Sequence, residues 1–276
     1  MERLMESMTR LTRSTIAIAV DAGRLALRGL GDHPPSRPKG RFDLQLDADV
    51  DSEKEIVPRL RSLLPGSEVA SEEMGGPVDW SNSNVWIVDP LDGTNNYYSA
   101  IPYLAISIAL RQHCKLVLAV VYDPVLCHSF SARLGGGAEQ DGHTLKGRPG
   151  KPLDRATVSL ITNYSQAGRR AGEALYLKLN SVARRVTTLW APAADLVRAA
   201  TGHIDGVVCV NAMYGDVCSG LLILAEAGGT ILDCNGADID VATLDPTEPI
   251  SFVASISEHT ANDLLVKIMP ELENSI

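Results

Sequence analysis

Val85-Trp-Ile-Val-Asp89-Pro-Leu-Asp92-Gly-Thr94-Asn-Asn-Tyr97 is the stretch on which the reading of this chain turns. Its apolar run, Val85 to Val88, predicts a short buried strand that ends on an acid. Asp89 and Asp92 follow three apart, with Pro90 stiffening the turn and Gly93 freeing the backbone beside Thr94. Two carboxylates at a strand end, followed by bare amides, can hold a hard cation and an anionic group together. Hydrolysis of a phosphate ester needs that combination. The same residues also suit an Asp-rich turn, because Asp-Pro and Asp-Gly are common turn dipeptides.

Outward from that stretch, the 276 residues are enough for one large domain or two fused halves around a continuous core. A hydrophobic content of 45% with only 5% aromatics implies a mainly aliphatic core. The formal net charge of −9 argues against a general nucleic-acid surface, which draws on an excess of Lys and Arg. It leaves room for a small anionic substrate, because bound cations reverse the field of an acidic site. The five cysteines are odd in number and lack C-x-x-C spacing, so they read as thiols of a reducing compartment. Thr15 to Val20 is too short and too closely bracketed by charge for a signal or a membrane span. The expectation is a cytoplasmic protein that does not engage a membrane.

Upstream, residues 2 to 30 show apolar residues at near-helical spacing, with Gly29 and Gly31 as terminators. His33 to Gly40 reads as a loop, Asp51 to Leu64 as a second helix, and Val69 to Gly76 as a short strand running into an acidic loop. Downstream, Ala105 to Leu110, Leu116 to Tyr122 and Cys127 to Ala132 predict an antiparallel meander. Leu134 to Ala138 and Asp141-Gly142 close it with turns; without a following Lys-Ser or helix the glycine run is not a phosphate loop. Beyond Pro152 strands and helices alternate. Strands are expected at Thr157 to Ile161, Gly206 to Val210 and Ile250 to Ser255. Helices are expected at Ala171 to Ala183, Pro192 to Ala200, Asp216 to Ala227 and Thr260 to Ile268. Together these predict a single unit, 1–276, with an antiparallel α+β half (1–152) and an α/β half (153–276) in stacked layers.

Glu72, Asp89, Asp92 and Asp216 each have a structural explanation alone; Asp216, for example, suits a helix N-cap. Their combination resembles the inositol monophosphatase family of magnesium-dependent, lithium-sensitive phosphatases, the superfamily that includes fructose-1,6-bisphosphatases. Ser71-Glu72-Glu73 is similar to the family's Glu-Glu loop, and Asp89-Pro-Leu-Asp-Gly-Thr94 with Asn96-Tyr97 to its central signature. Asp216, Gly220 and Leu224-Ala-Glu-Ala-Gly-Gly229 resemble its C-terminal signature. Phe42-Asp43-Leu44 through Asp49 and Glu53 resembles the segment that helps activate water.

The resemblance implies a layered αβαβα sandwich, a homodimer, and a phosphomonoesterase acting on a small sugar, cyclitol or inositol-type phosphate. It implies one Mg²⁺ on Glu72, Asp89 and the Leu91 carbonyl, a second on Asp89, Asp92 and Asp216, and a weaker third near Glu72, with Mn²⁺ as a substitute. It makes Glu72, Thr94 and Asp49 catalytic, with Thr94 paired to Asp49 to orient water, and gives phosphate binding to the amides of Gly93 and Thr94. The alcohol pocket departs from the pattern. Trp190, Ala191 and Pro192 stand where the family has a Gly-Ser turn, Cys209 where the inositol enzymes place a hydroxyl-binding Glu, and Gly215 where a Trp usually precedes the metal Asp. Trp190, Ala191 and Cys209 are therefore the expected substrate-reading positions. Trp190 can stack on a ring or simply wall an apolar pocket. A nucleotide phosphatase and a non-catalytic regulator retaining the fold are the alternative readings.

Overall fold

The computed structural model describes residues 2–31, 36–38, 44–148, 150–163 and 165–273. The chain opens with α1 (Glu2–Leu27), whose helical spacing of apolar residues buries Ile18, Ala19 and Ala22. Two short strands, β1 (Ser36–Pro38) and β2 (Leu44–Leu46), pair antiparallel. Residues 36–38 are thus strand rather than the expected loop, because their partner lies eight residues on and supplies pairing that no local pattern signals. Residues 33–35 and 39–40 of that loop, and Phe42 and Asp43, lie outside the described residues.

α2 (Asp47–Leu63) starts four residues before the expected Asp51. Asp49, in its first turn, accepts the Leu46 N–H on Oδ2 at 2.6 Å and so satisfies an amide at the helix entrance.

Next come β3 (Glu68–Ser71), β4 (Asn84–Asp92), a short helix α3 (Thr94–Tyr98), β5 (Ala105–Gln112), β6 (Lys115–Asp123), β7 (His128–Arg133), β8 (Gly137–Gln140) and β9 (His143–Thr144). The strands from β3 to β9 form one sheet in sequential order, parallel at β3–β4 and antiparallel elsewhere. The glycine-rich stretch expected only as turns therefore also contributes β8, because Phe130 to Arg133 offers it a free strand edge.

The second half contains β10 (Thr157–Thr162), α4 (Gln166–Val182), β11 (Arg185–Thr187), α5 (Pro192–Ala200), β12 (Gly206–Ala212), α6 (Tyr214–Glu226), β13 (Thr230–Leu232), β14 (Ile250–Ser255) and α7 (Glu258–Glu273). Its five-stranded mixed sheet runs β11-β10-β12-β14-β13. β11 and β13 have three residues each, too few to show a period. Asp216 is not the N-cap of α6: that position is Met213, and Asp216 lies inside the first turn.

The layers follow from which faces are apolar. α1 and α2 cover one face of the first sheet, α5 and α6 lie between the sheets, and α4 and α7 cover the outer face of the second. One apolar cluster joins both sheets through α5 and α6, from Ile87 and Val121 to Cys209 and Phe252. Gly220 allows the two central helices to meet: a Cβ there would stand 2.5 Å from Leu196 Cβ. This is the expected αβαβα sandwich. Among the described residues no helix is long and apolar enough to cross a membrane.

Candidate active site

The β3–β4 pairing brings the first two acids together. Ser71 registers with Val88, and the Glu72 amide donates to the Val88 carbonyl at 3.2 Å, so Glu72 sits beside Asp89 despite sixteen intervening residues. The β4–β5 register shifts between Asp89 and Asp92, which carries the chain off the sheet where the two aspartates occur. The first turn of α6 then delivers Asp216. One carboxylate oxygen from each of Glu72, Asp89 and Asp216 lies within 4.8 Å of the others.

Asp92 stands outside that triple but beside it. Its Oδ2 accepts the Ala194 N–H at 2.8 Å, serving the N-terminus of α5. Its Oδ1 is buried and has no hydrogen-bond partner. Asp89 and Asp92 are 5% and 1% exposed. Burial, reinforced by the charges of Glu72, Asp92 and Asp216, drives the Asp89 pKa well above the carboxylate range. Burial does the same to Asp92, with Asp195 and Asp216 adding to it against the Ala194 and Ala193 amides. Four converging oxygen donors that repel one another, one of them bare, match a hard divalent cation, which would neutralise them. The residues present fit such a group.

Thr94 Oγ1 lies 3.0 Å from Asp49 Oδ1 and 3.1 Å from the Leu91 carbonyl, and its single proton serves one acceptor at a time. Burial, with the Glu73 and Glu72 charges added, pushes Asp49 up to about 7 against the Leu46 and Thr94 hydrogen bonds. Gln45 Nε2 donates to Glu73, holding the second acid of the Glu-Glu pair. Gly93 adopts φ +94°, and a Cβ there would stand 2.8 Å from the Tyr103 carbonyl, so only glycine fits before Thr94.

Above the acids opens a cavity of about 460 Å³. It is lined by Glu72, Asp89, Leu91, Asp92, Gly93, Thr94 and Asp216, and Trp190 forms part of its wall. Ala191 and Cys209, both expected to read substrate, do not line it. Ala191 is fully buried and packs on the Gly93 turn, its Cβ 3.2 Å from where a Gly93 side chain would begin. Cys209 is in mid-sheet, registered with Ile161 and Phe252, fully buried, and its thiol pKa is pushed up by burial. The β12–β14 register shifts between Cys209 and Ala212, where Asn211 takes φ +55°. Ala212 and Met213, beyond that irregularity, line the cavity in its place.

Trp80, Tyr214 and Asn163 also line the cavity, and sequence reasoning does not reach them. Trp80 carried one signal, a large apolar residue in the polar stretch Val78 to Ser83.

Comparison with known proteins agrees with this architecture. The inositol monophosphatase family profile matches residues 8–272. The protein named Nus factor SuhB of Salmonella typhimurium (strain 14028s / SGSC 2262) is 30% identical over 230 residues, covering 80% of this chain and 85% of that protein. The protein named inositol-1-monophosphatase of Mesorhizobium japonicum is 30% identical over 226 residues, covering 80% and 84%. The crystal structure of the extragenic suppressor protein suhB from Bartonella henselae superposes with a TM-score of 0.82 at 25% identity, covering 96% of this chain and 98% of that one. A profile match over nearly the whole length, on the same layered fold, means that this chain belongs to the inositol monophosphatase family.

Proposed function

We propose that the protein is a Mg²⁺-dependent phosphomonoesterase that hydrolyses a small phosphate monoester with an activated water. The observation that carries this reading is the convergence of the Glu72, Asp89 and Asp216 oxygens beside the bare, buried Oδ1 of Asp92. Glu72, Asp89 and the Leu91 carbonyl would hold one Mg²⁺, Asp89, Asp92 and Asp216 a second, and Glu72 a weaker third, with Mn²⁺ as a substitute. Bound there, the ions would supply Lewis acidity to the phosphoryl oxygens and lower the pKa of water.

The chain's own residues perform the remaining work. The Gly93 and Thr94 amides, at the start of α3, would orient the phosphate. Asp49 takes the Thr94 hydroxyl proton as its hydrogen-bond partner, so the Thr94 oxygen is left to accept a hydrogen bond from the attacking water. As the water oxygen bonds to phosphorus, its proton passes by way of Thr94 to Asp49, and the ester oxygen leaves with the electrons of the broken bond and takes a proton from solvent to become the alcohol. A cytoplasmic homodimer remains part of this reading, carried by the family.

Phosphate release from a panel of sugar, inositol and nucleotide monophosphates, with Mg²⁺ and with EDTA, tests the proposal. Turnover that needs Mg²⁺ and is inhibited by millimolar Li⁺ is expected; full turnover in chelator would refute the mechanism. A second reading, regulation without catalysis, draws on relatives named Nus factor SuhB. The crowded, mutually repelling carboxylates favour the enzyme, because burying like charges together without a cation is costly.

A further inference from the structure

The outer wall of the cavity differs in kind from its acidic floor. The chain has three tryptophans, and two of them, Trp80 and Trp190, line this one cavity with Val78, Met213, Tyr214 and Pro246. Each tryptophan lies in a loop held against an element that also carries a floor residue. Trp80 meets Tyr214 edge to face at 6.3 Å between ring centroids, and Tyr214 opens α6 two residues before Asp216. The Trp80 carbonyl accepts from Arg111 Nη1 at 3.0 Å, fixing its loop. Trp190 is held at φ +49°, a costly conformation for a bulky residue. Asn96 of α3 clamps the preceding carbonyl, Leu189, with Nδ2 at 2.7 Å.

Some of the hydrogen-bonding groups at the wall are committed elsewhere. Pro192 lines the cavity without an N–H, and the Ala194 amide just behind it is engaged by Asp92. Asn163 donates to the Asn211 carbonyl at 3.2 Å and accepts from the Ser165 amide at 3.1 Å. A polyhydroxylated ring entering here would lose water from its hydroxyls against apolar side chains, whereas a flat apolar ring would meet aromatic faces and edges.

We infer that the alcohol half of the substrate is an apolar, ring-bearing group, read by Trp80 and Trp190, and not a polyol. This rests on the phosphatase reading above. Water attacks phosphorus, the bond from phosphorus to the alcohol oxygen breaks, and the ring-bearing alcohol departs with a proton, leaving inorganic phosphate.

The test compares 2-phenylethyl phosphate with glycerol 1-phosphate and inositol 1-phosphate, all alkyl esters, so that leaving-group activation does not decide the ranking. The phenyl ester should have at least a tenfold higher kcat/KM. In Trp190→Ala and Trp80→Ala, kcat/KM for the phenyl ester should fall at least tenfold further than for glycerol 1-phosphate, mainly through KM, with recovery in the Phe variants. Adenosine 5′-monophosphate is a further arm: outperforming the phenyl ester would overturn the apolar ring in favour of a nucleoside. Equal or better turnover of the polyol esters would overturn the inference while leaving the phosphatase reading intact. Intrinsic fluorescence, titrated with 2-phenylethyl phosphonate and with glycerol phosphonate, separates the two failures. If no ester is hydrolysed, the phosphatase reading falls, and selective quenching by the phenyl compound still supports the wall. Equal response to both phosphonates would count against it.

Discussion

Two groups of buried carboxylates in this molecule have opposite surroundings. Asp195, Asp123 and Asp205 are each 3% exposed or less, and each is met by the protein's own donors. Tyr103 and Ser159 donate to Asp195, Arg198 pairs with Asp123 at 2.6 Å, and Lys151 pairs with Asp205 at 2.9 Å. The Arg198 guanidinium also lies 4.2 Å over the Tyr103 ring, tying two of these acids into one network. At the cavity floor, by contrast, Asp89 and Asp92 face other carboxylates, and Asp92 keeps a bare oxygen. Burial raises Asp195 only to about 6, since its donors and Arg198 counter it. The difference separates a buried charge paired with the protein's own cations and hydroxyls from one crowded by other carboxylates.

The sharpest way to break this comparison is to neutralise one acid in each group. Asp92→Asn keeps an acceptor for the Ala194 amide but loses its charge. Its kcat should fall by at least about 10³-fold, or about 4 kcal/mol, while thermal unfolding in EDTA stays level or improves. Turnover within tenfold of the parent would mean that the floor is structural. Asp195→Ala should do the converse. It strands Tyr103 and Ser159 in the interior and should lower stability by about 3 kcal/mol in denaturant titration. A loss below about 1 kcal/mol would show that the network is not needed.

Mg²⁺ itself sharpens the contrast. At a hundred times its Kd the ion should stabilise the folded protein by about 2.7 kcal/mol, read as a shift in Tm, and this gain should vanish in Asp89→Asn. An equal shift in both proteins would place the cation elsewhere.

A further test concerns pH in the metal-free protein. Asp49 is raised from 3.8 to about 7, so the folded state holds an extra proton between those values. Its contribution is therefore most favourable below about pH 4, declines as pH rises toward 7, and is flat above. Asp49→Asn should flatten part of the decline in Tm between pH 4 and 7 measured in EDTA; an unchanged slope would remove Asp49 from the titrating groups.

Several features were legible in the residues alone because their signals are local. The helix Pro192–Ala200 and the strand Ile250–Ser255 coincide with the expected ranges, one marked by proline at its first position and the other by a short apolar run. The Asp89 to Thr94 turn carries its own chemistry in six consecutive residues, and with Glu72 and Asp216 it pointed to the family. The short strands Ser36–Pro38, Arg185–Thr187 and Thr230–Leu232 escaped because pairing with distant partners, not local period, makes them strands.

What the amino-acid sequence determined by itself was the stacking of helices and sheets in layers, since strand and helix periods are properties of neighbours along the chain; the set of acids was picked out by the family resemblance. Only the tertiary structure decided which side chains face the cavity. Cys209 packs in the core in mid-sheet, whereas Met213, beyond the register shift, lines the cavity, and a loop folded back from Val78 brings Trp80 against Tyr214. Side-chain direction in a strand reverses with every residue, so one bulge is enough to undo a count made along the sequence.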